Sequence, residues 1–279
     1  MHNIFYSRHD FVKGNSAQYC LSIRFATDGL SFCIHDQLEK LFVFSFQPLT
    51  HHSQDEAIAT VKKAVAEFEL LNLEYKKVIV IPCRKDKILI PELLFDEENL
   101  SEMYGICVPI EKNDVLLYHK IEPWETYLVE ALPRSFVTFL TSRYQSVNIV
   151  NSAYPFIESS LSSTSLRTYY LFLDIHATYF DMLVTKKNHL VFFNSFTYNS
   201  PNDVIYYILS TLKKVDVELD ILRTTISGDI DDDSKLLQSL SMYIPEITLV
   251  KNFNFAQTIG NEEVNTSYFA HLLSAHRCL

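Results

Sequence analysis

The sequence predicts an α/β fold made of two copies of one β-β-β-α-β unit, each on a mixed β-sheet. Three observations predict it. Residues 19–82 and 169–227 each hold three short runs rich in aromatic and β-branched residues, then a capped amphipathic helix, then one more strand-length run. The copies lie about 150 residues apart, a domain-sized offset. Short turns join the first three runs as hairpins, while the helix carries the chain over to the fourth, so antiparallel and parallel pairing share each sheet.

In the first copy the strands are "YCLSIRF", "GLSFCIHD" and "LFVFSFQPL", with Asp28-Gly29 marking the first turn. Ser53 and Glu56 form a Ser-x-x-Glu capping box. Ile58, Val61, Val65 and Phe68 follow at helical spacing and give that helix one apolar face. "KKVIVIP" is an apolar run that suits a strand buried on both faces. In the second copy the strands are "YYLFLDI", "YFDMLVT" and "LVFFNSF". Ser200 caps the next helix, Pro201 sits in its first turn, and Asp203 lies near its positive end. Its apolar face is Val204, Ile205, Ile208, Leu209 and Leu212, and "DILRTTIS" is the closing strand.

The first copy carries extra material. "PELLFDEENLSEMY" reads as a short helix with an acidic front, "DVLLYHKI" and "TYLVEAL" as strands, and "PRSFVTFLTSRY" as a helix opened by Pro133. "SVNIVNS" is a strand, "AYPFIESSLSS" a helix, and the Ser/Thr-rich stretch 159–167 a domain junction. The expected domains are 1–164 and 165–279. In the last segment, "SYFAHLLSAHRCL", Tyr268, Phe269, Leu272 and Leu273 share a helical face that is expected to pack on the second domain's core.

Composition excludes several functions. A net charge of −10 disfavours nonspecific binding to nucleic acid or anionic lipid, which needs a basic field. The five cysteines form no Cys-x-x-Cys pair, so they read as free thiols in a reducing compartment. No apolar run approaches the ~20 residues of a spanning helix, and the N-terminus has no continuous apolar stretch. The expected location is the cytoplasm. Only five glycines are present, and neither a Walker loop nor a G-x-G-x-x-G loop occurs.

This order of elements resembles the actin-like ATPases, two ribonuclease-H-like domains facing a cleft. It is most similar to their pilus-assembly and cell-division members, in which a small subdomain is inserted in the first half. Residues 112–145 read as a β-β-α insertion of that kind. The whole chain also resembles an uncharacterised Bacteroidetes-type family with this fold. The resemblance implies Mg-ATP as ligand, but the motifs depart from it. The second phosphate loop, Asp-x-Gly-Thr/Ser in the superfamily, reads Asp174-Ile175-His176-Ala177, with Thr178 one place late. Near the first phosphate loop Arg24 stands about where an Asp belongs. The adenosine motif keeps one glycine, Gly228, followed by Asp229.

Asp174, His176, Thr178, Gly228 and Asp229 are therefore the candidate residues of a vestigial nucleotide cleft. Asp174 and His176, two apart at a strand end, offer a carboxylate–imidazole pair. Asp229, Asp231 and Asp233 alternate as in a calcium loop, but Ser234 and Leu240 replace the turn glycine and the bidentate glutamate. That stretch reads instead as an acidic approach to the helix "SKLLQSL". His51 and His52 lack a third ligand and read as loop residues. The expected function is a non-catalytic or weakly nucleotide-responsive scaffold with an unidentified protein partner, neither nucleic-acid-binding nor membrane-inserted, and with no cofactor assigned. The alternative is an ATPase or kinase with a divergent phosphate site. A ribonuclease-H-like nuclease ranks last, because Asp174 has no obvious carboxylate partners for two metals.

Overall fold

The computed structural model describes residues 3–49, 53–161, 169–260 and 264–278. The first half runs β1 (Ile4–Ser7), β2 (Cys20–Ala26), β3 (Gly29–His35), β4 (Leu41–Pro48), α1 (Gln54–Glu67) and β5 (Lys77–Pro82). It continues through β6 (Lys87–Pro91), α2 (Leu100–Cys107), β7 (Asp114–Ile121), β8 (Thr126–Pro133), α3 (Arg134–Arg143), β9 (Val147–Ile149) and α4 (Ala153–Leu161). The second half holds β10 (Tyr169–Ile175), β11 (Tyr179–Lys186), β12 (His189–Thr197), α5 (Pro201–Lys214) and β13 (Leu222–Gly228). It closes with α6 (Lys235–Leu240), β14 (Ile247–Leu249), α7 (Phe253–Ile259) and α8 (Ala270–Ser274). The Ser/Thr-rich junction falls largely outside the described residues, as do His51 and His52.

The repeat is real in space. One sheet has the order β1-β4-β3-β2-β5-β9 and the other β12-β11-β10-β13-β14. In both, two antiparallel hairpin pairings are followed by two parallel ones. Ser53 caps α1 by accepting the Glu56 N–H at 3.3 Å. At the matching helix α5, Asp203 accepts the Ser200 N–H at 2.9 Å. Ser234 caps α6 by accepting the Leu237 N–H at 3.1 Å, which gives the acidic stretch before it a helix to approach.

Alternation along the strands divides the cores. Leu21, Ile23 and Phe25 of β2 pack under α1 and α3, whereas Leu171, Leu173 and Ile175 of β10 pack under α5 and α6. A third, small sheet has the order β6-β8-β7. Residues 114–143 do form two strands and a helix, but β8 also pairs with β6, outside the expected 112–145. Phe136 and Leu140 of α3 pack into the first sheet's core, so that helix is held by the main domain.

The C-terminal segment differs from expectation. Phe269, Leu272 and Ala275 pack against Phe44, Phe46, Ile79 and Ile81 of the first sheet, not on the second half's core. Phe269 meets the Phe44 and Phe46 rings edge-on at 4.8 and 5.1 Å. This face of β4 and β5 is apolar and needs a cover, which the end of the chain supplies. The crossing places α8 beside the junction between the two sheets.

Candidate functional site

Strand register assembles the site. Asp174 of β10 lies directly opposite Asp181 of β11. The parallel neighbour β13 sets Ser227 beside Asp174 and Gly228 beside Ile175. Ser195 of β12, Asp181, Asp174 and Ser227 thus form a row of polar side chains across the sheet, and Ser195 Oγ donates to Asp181 Oδ1 at 2.6 Å. Gly228 has φ +92°, and a Cβ there would lie 2.0 Å from the Ile175 carbonyl oxygen. Only glycine fits so close to β10.

Other elements close over this row. His176 turns back so that Nε2 lies 3.0 Å from Asp174 Oδ2 and 3.7 Å from Asp181 Oδ2. Its ring stacks on Tyr179 at 4.2 Å. Lys87, from β6, places Nζ 2.7 Å from Asp181 Oδ2 with neither side chain exposed. His271, from α8, places Nε2 3.1 Å from both Asp174 Oδ1 and Ser227 Oγ. Ser227 Oγ donates to Asp174 Oδ1 at 2.8 Å. From β2, Arg24 stacks its guanidinium 4.4 Å from the Tyr268 ring centre and donates to Tyr268 Oη at 3.0 Å.

The charges neutralise one another. Burial opposes ionisation of Asp174, but His271 and His176 outweigh it and hold the carboxyl well below its usual range. Burial likewise opposes the charge on Asp181, and Lys87 and His176 overcome it, lowering its pKa. His176 is raised, because Asp174 and Asp181 outweigh the burial that disfavours the imidazolium. Among the described residues, Asp174, His176 and Asp181 form a group with metal-ligand geometry, their ligand atoms within 4.8 Å of one another. A divalent cation there would have to displace the Lys87 ammonium and the proton of His176, which already supply the positive charge.

Of the residues singled out in the sequence, Asp174, His176 and Gly228 meet at one point. A cavity of about 10 Å³ lies there, lined also by Arg24, Cys83, Ser152, Tyr268 and His271. Thr178 is exposed in the β10–β11 turn, and Asp229 is exposed beyond β13 with its N–H donating to the Ile175 carbonyl at 2.7 Å. The partners Lys87, Asp181, Ser227, Tyr268 and His271 are not evident as site residues in the sequence. One signal was available: Asp181 is a charge inside the apolar strand "YFDMLVT", and a buried charge requires a partner.

Residues 8–247 match the family described as "Protein of unknown function (DUF3822)". The chain belongs to this family. No curated protein matches the sequence. A solved Bacteroides thetaiotaomicron protein, described as having an actin-like ATPase fold and unknown function, is similar with TM-score 0.79 and 22% identity. The match covers 90% of this chain and 99% of that one. The solved PilM–PilN type IV pilus biogenesis complex is similar with TM-score 0.58 and 13% identity, over 93% of this chain and 98% of that one. The fold is that of the actin-like ATPases.

That fold implies Mg-ATP, and the residues at the cleft do not fit it. The cavity beside Asp174 and Gly228 is about 10 Å³, space for about one water. The His176 ring packs against the Asp174 carboxylate and fills space that a glycine at this position would leave open. The Asp174 carboxylate is turned to two imidazoles and a serine hydroxyl of its own chain.

Proposed function

We propose that the protein is a non-catalytic, at most weakly nucleotide-responsive actin-like scaffold that binds another protein. One observation carries this reading: the place where phosphates belong is an approximately 10 Å³ space enclosed by Arg24, Asp174, His176 and His271. In this reading 1–164 and 165–279 are the two lobes. Asp174, His176, Thr178, Gly228 and Asp229 are the relic of a nucleotide cleft. Two observations favour a protein partner. Leu93, Leu94 and Ile106 are 95, 63 and 84% exposed among the acidic residues Asp96, Glu97, Glu98 and Glu102, and apolar side chains rimmed by charge suit protein contacts. The pilus relative is solved as a complex of two proteins. The thiols of Cys20, Cys33 and Cys107 are in no disulfide, which favours a cytoplasmic setting. No helix of the described residues is long and apolar enough to cross a membrane.

Phosphate release from Mg-ATP tests the catalytic half of the proposal. Wild type and Asp174→Asn are both expected to stay at background. Turnover by wild type that disappears in Asp174→Asn would establish the ATPase alternative instead. For the binding half, the tagged chain isolated from its own cells should carry one protein at fixed stoichiometry. Elution alone under mild conditions contradicts it.

A further inference from the structure

We infer that a second cavity, between α4, the inner face of the second sheet and α8, binds a small organic anion and is coupled to the charge network at Asp174. Its volume is about 310 Å³, within the range of small-molecule sites. It is not the phosphate position: only His271 lines both this cavity and the small one beside Gly228. The inference stands whether or not the cleft ever admits nucleotide.

The lining defines the chemistry. Phe156 of α4 and Phe172 of β10 form an apolar wall, while Ser227, Lys251 and His271 bring polar groups to it. Among the described residues, no Asp or Glu lines this cavity. Its charged and titratable groups are Lys251 and His271, so the local preference is for an anion. Lys251 pairs with Asp232, but the two side chains are 38 and 67% exposed, and an exposed pair is weak enough for a ligand to displace. The Nδ1 atom of His271 is buried without a hydrogen-bond partner, and an unsatisfied polar atom gains most from an added one. A ligand with a flat apolar body against the two phenylalanines and a carboxylate or phosphate toward Lys251 meets all these groups.

Coupling follows from shared residues. Ser227 and His271 line the cavity, and through Oγ and Nε2 they also contact Asp174 Oδ1 at 2.8 and 3.1 Å. An anion that draws on their protons competes with Asp174 and loosens the contact between α8 and β10.

The test is calorimetric titration of the full chain with phenyl phosphate, with benzoate, and with benzyl alcohol as the uncharged control. At least one acid is expected to bind about tenfold tighter than the alcohol, and the tighter of the two names the headgroup. Lys251→Gln is expected to weaken that acid about tenfold. Ser274→Phe, which fills the cavity, should abolish binding, and Ser159→Phe at its exposed rim serves if that variant does not fold. Bound acid should also shift the His271 imidazole resonances, and Mg-ATP should not displace it. Absence of binding by both acids, equal binding of the alcohol, or retained affinity in the filled variant overturns the inference.

Discussion

Lys87 and Asp181 meet at 2.7 Å with no exposure of either side chain. Removing Lys87 leaves the buried Asp181 carboxylate with only the longer His176 contact at 3.7 Å and the Ser195 hydroxyl to offset its charge, at a cost of about 3–5 kcal/mol. Lys87→Met should lose that much stability in urea unfolding. Lys87→Met/Asp181→Leu should regain most of it, because the desolvation cost disappears with the pair. A single-variant loss under about 1 kcal/mol would mean that the pair behaves as a hydrated one. Glu130 lies opposite Lys87 on β8, and burial pushes its carboxyl up to about 7 despite Arg84 and Lys87. From its ordinary 4.5 up to about 7 the unfolded chain therefore holds fewer protons than the folded one. Stability falls as pH rises through that window, by roughly 3 kcal/mol in full. Glu130→Gln should flatten this slope and raise the unfolding midpoint at alkaline pH. An unchanged slope would contradict the assignment.

At the scale of elements, the hairpin triplets and their capped helices are legible in the sequence because periodicity and caps are local. The strand β6 is not, since "KILIP" is short and its partner β8 begins 35 residues after Pro91 ends it. Nor is the course of α8, because an amphipathic stripe shows that a face is buried and not which sheet buries it. Phe269→Ala therefore tests a contact the sequence hides, with an expected loss of about 3–5 kcal/mol. The site is legible only on one side. Asp174, His176 and Gly228 lie in stretches that the sequence singles out, whereas Lys87 and His271 reach them from elements remote in sequence. Glycines separate in the same way. Gly228→Ala drives a methyl into the Ile175 carbonyl and should destabilise strongly, while Gly105→Ala in α2 meets no atom within 4 Å and should stabilise by about 0.5–1 kcal/mol. Thermal unfolding of the two variants in parallel checks both signs.

For the whole molecule, the buried charges act as a clasp. Lys87 comes from the small sheet, Arg24 from the first sheet, and Asp174 and Asp181 from the second. The raised pKa of His176 means that its share of the clasp is complete below the ordinary histidine value of 6.5 and is lost as pH rises through the folded value. The depressed carboxylates behave oppositely, contributing above their ordinary 3.8 and failing as pH falls through their lowered values. Hydrogen-exchange protection factors at β10 and α8, with the base-catalysed intrinsic rate divided out, should accordingly be highest in mildly acidic buffer and fall on the alkaline side. Equal protection at both pH values would remove His176 from the clasp.

We propose that this clasp occupies the position of the nucleotide phosphates. Calorimetric titration of Mg-ATP and Mg-ADP into the wild-type chain, with Asp174→Asn alongside, tests it most directly. No binding heat in either protein at nucleotide concentrations well above those of cells is the result predicted here. Micromolar binding by wild type that is lost in Asp174→Asn would contradict it, and would mean that the cleft opens to take phosphate on Asp174.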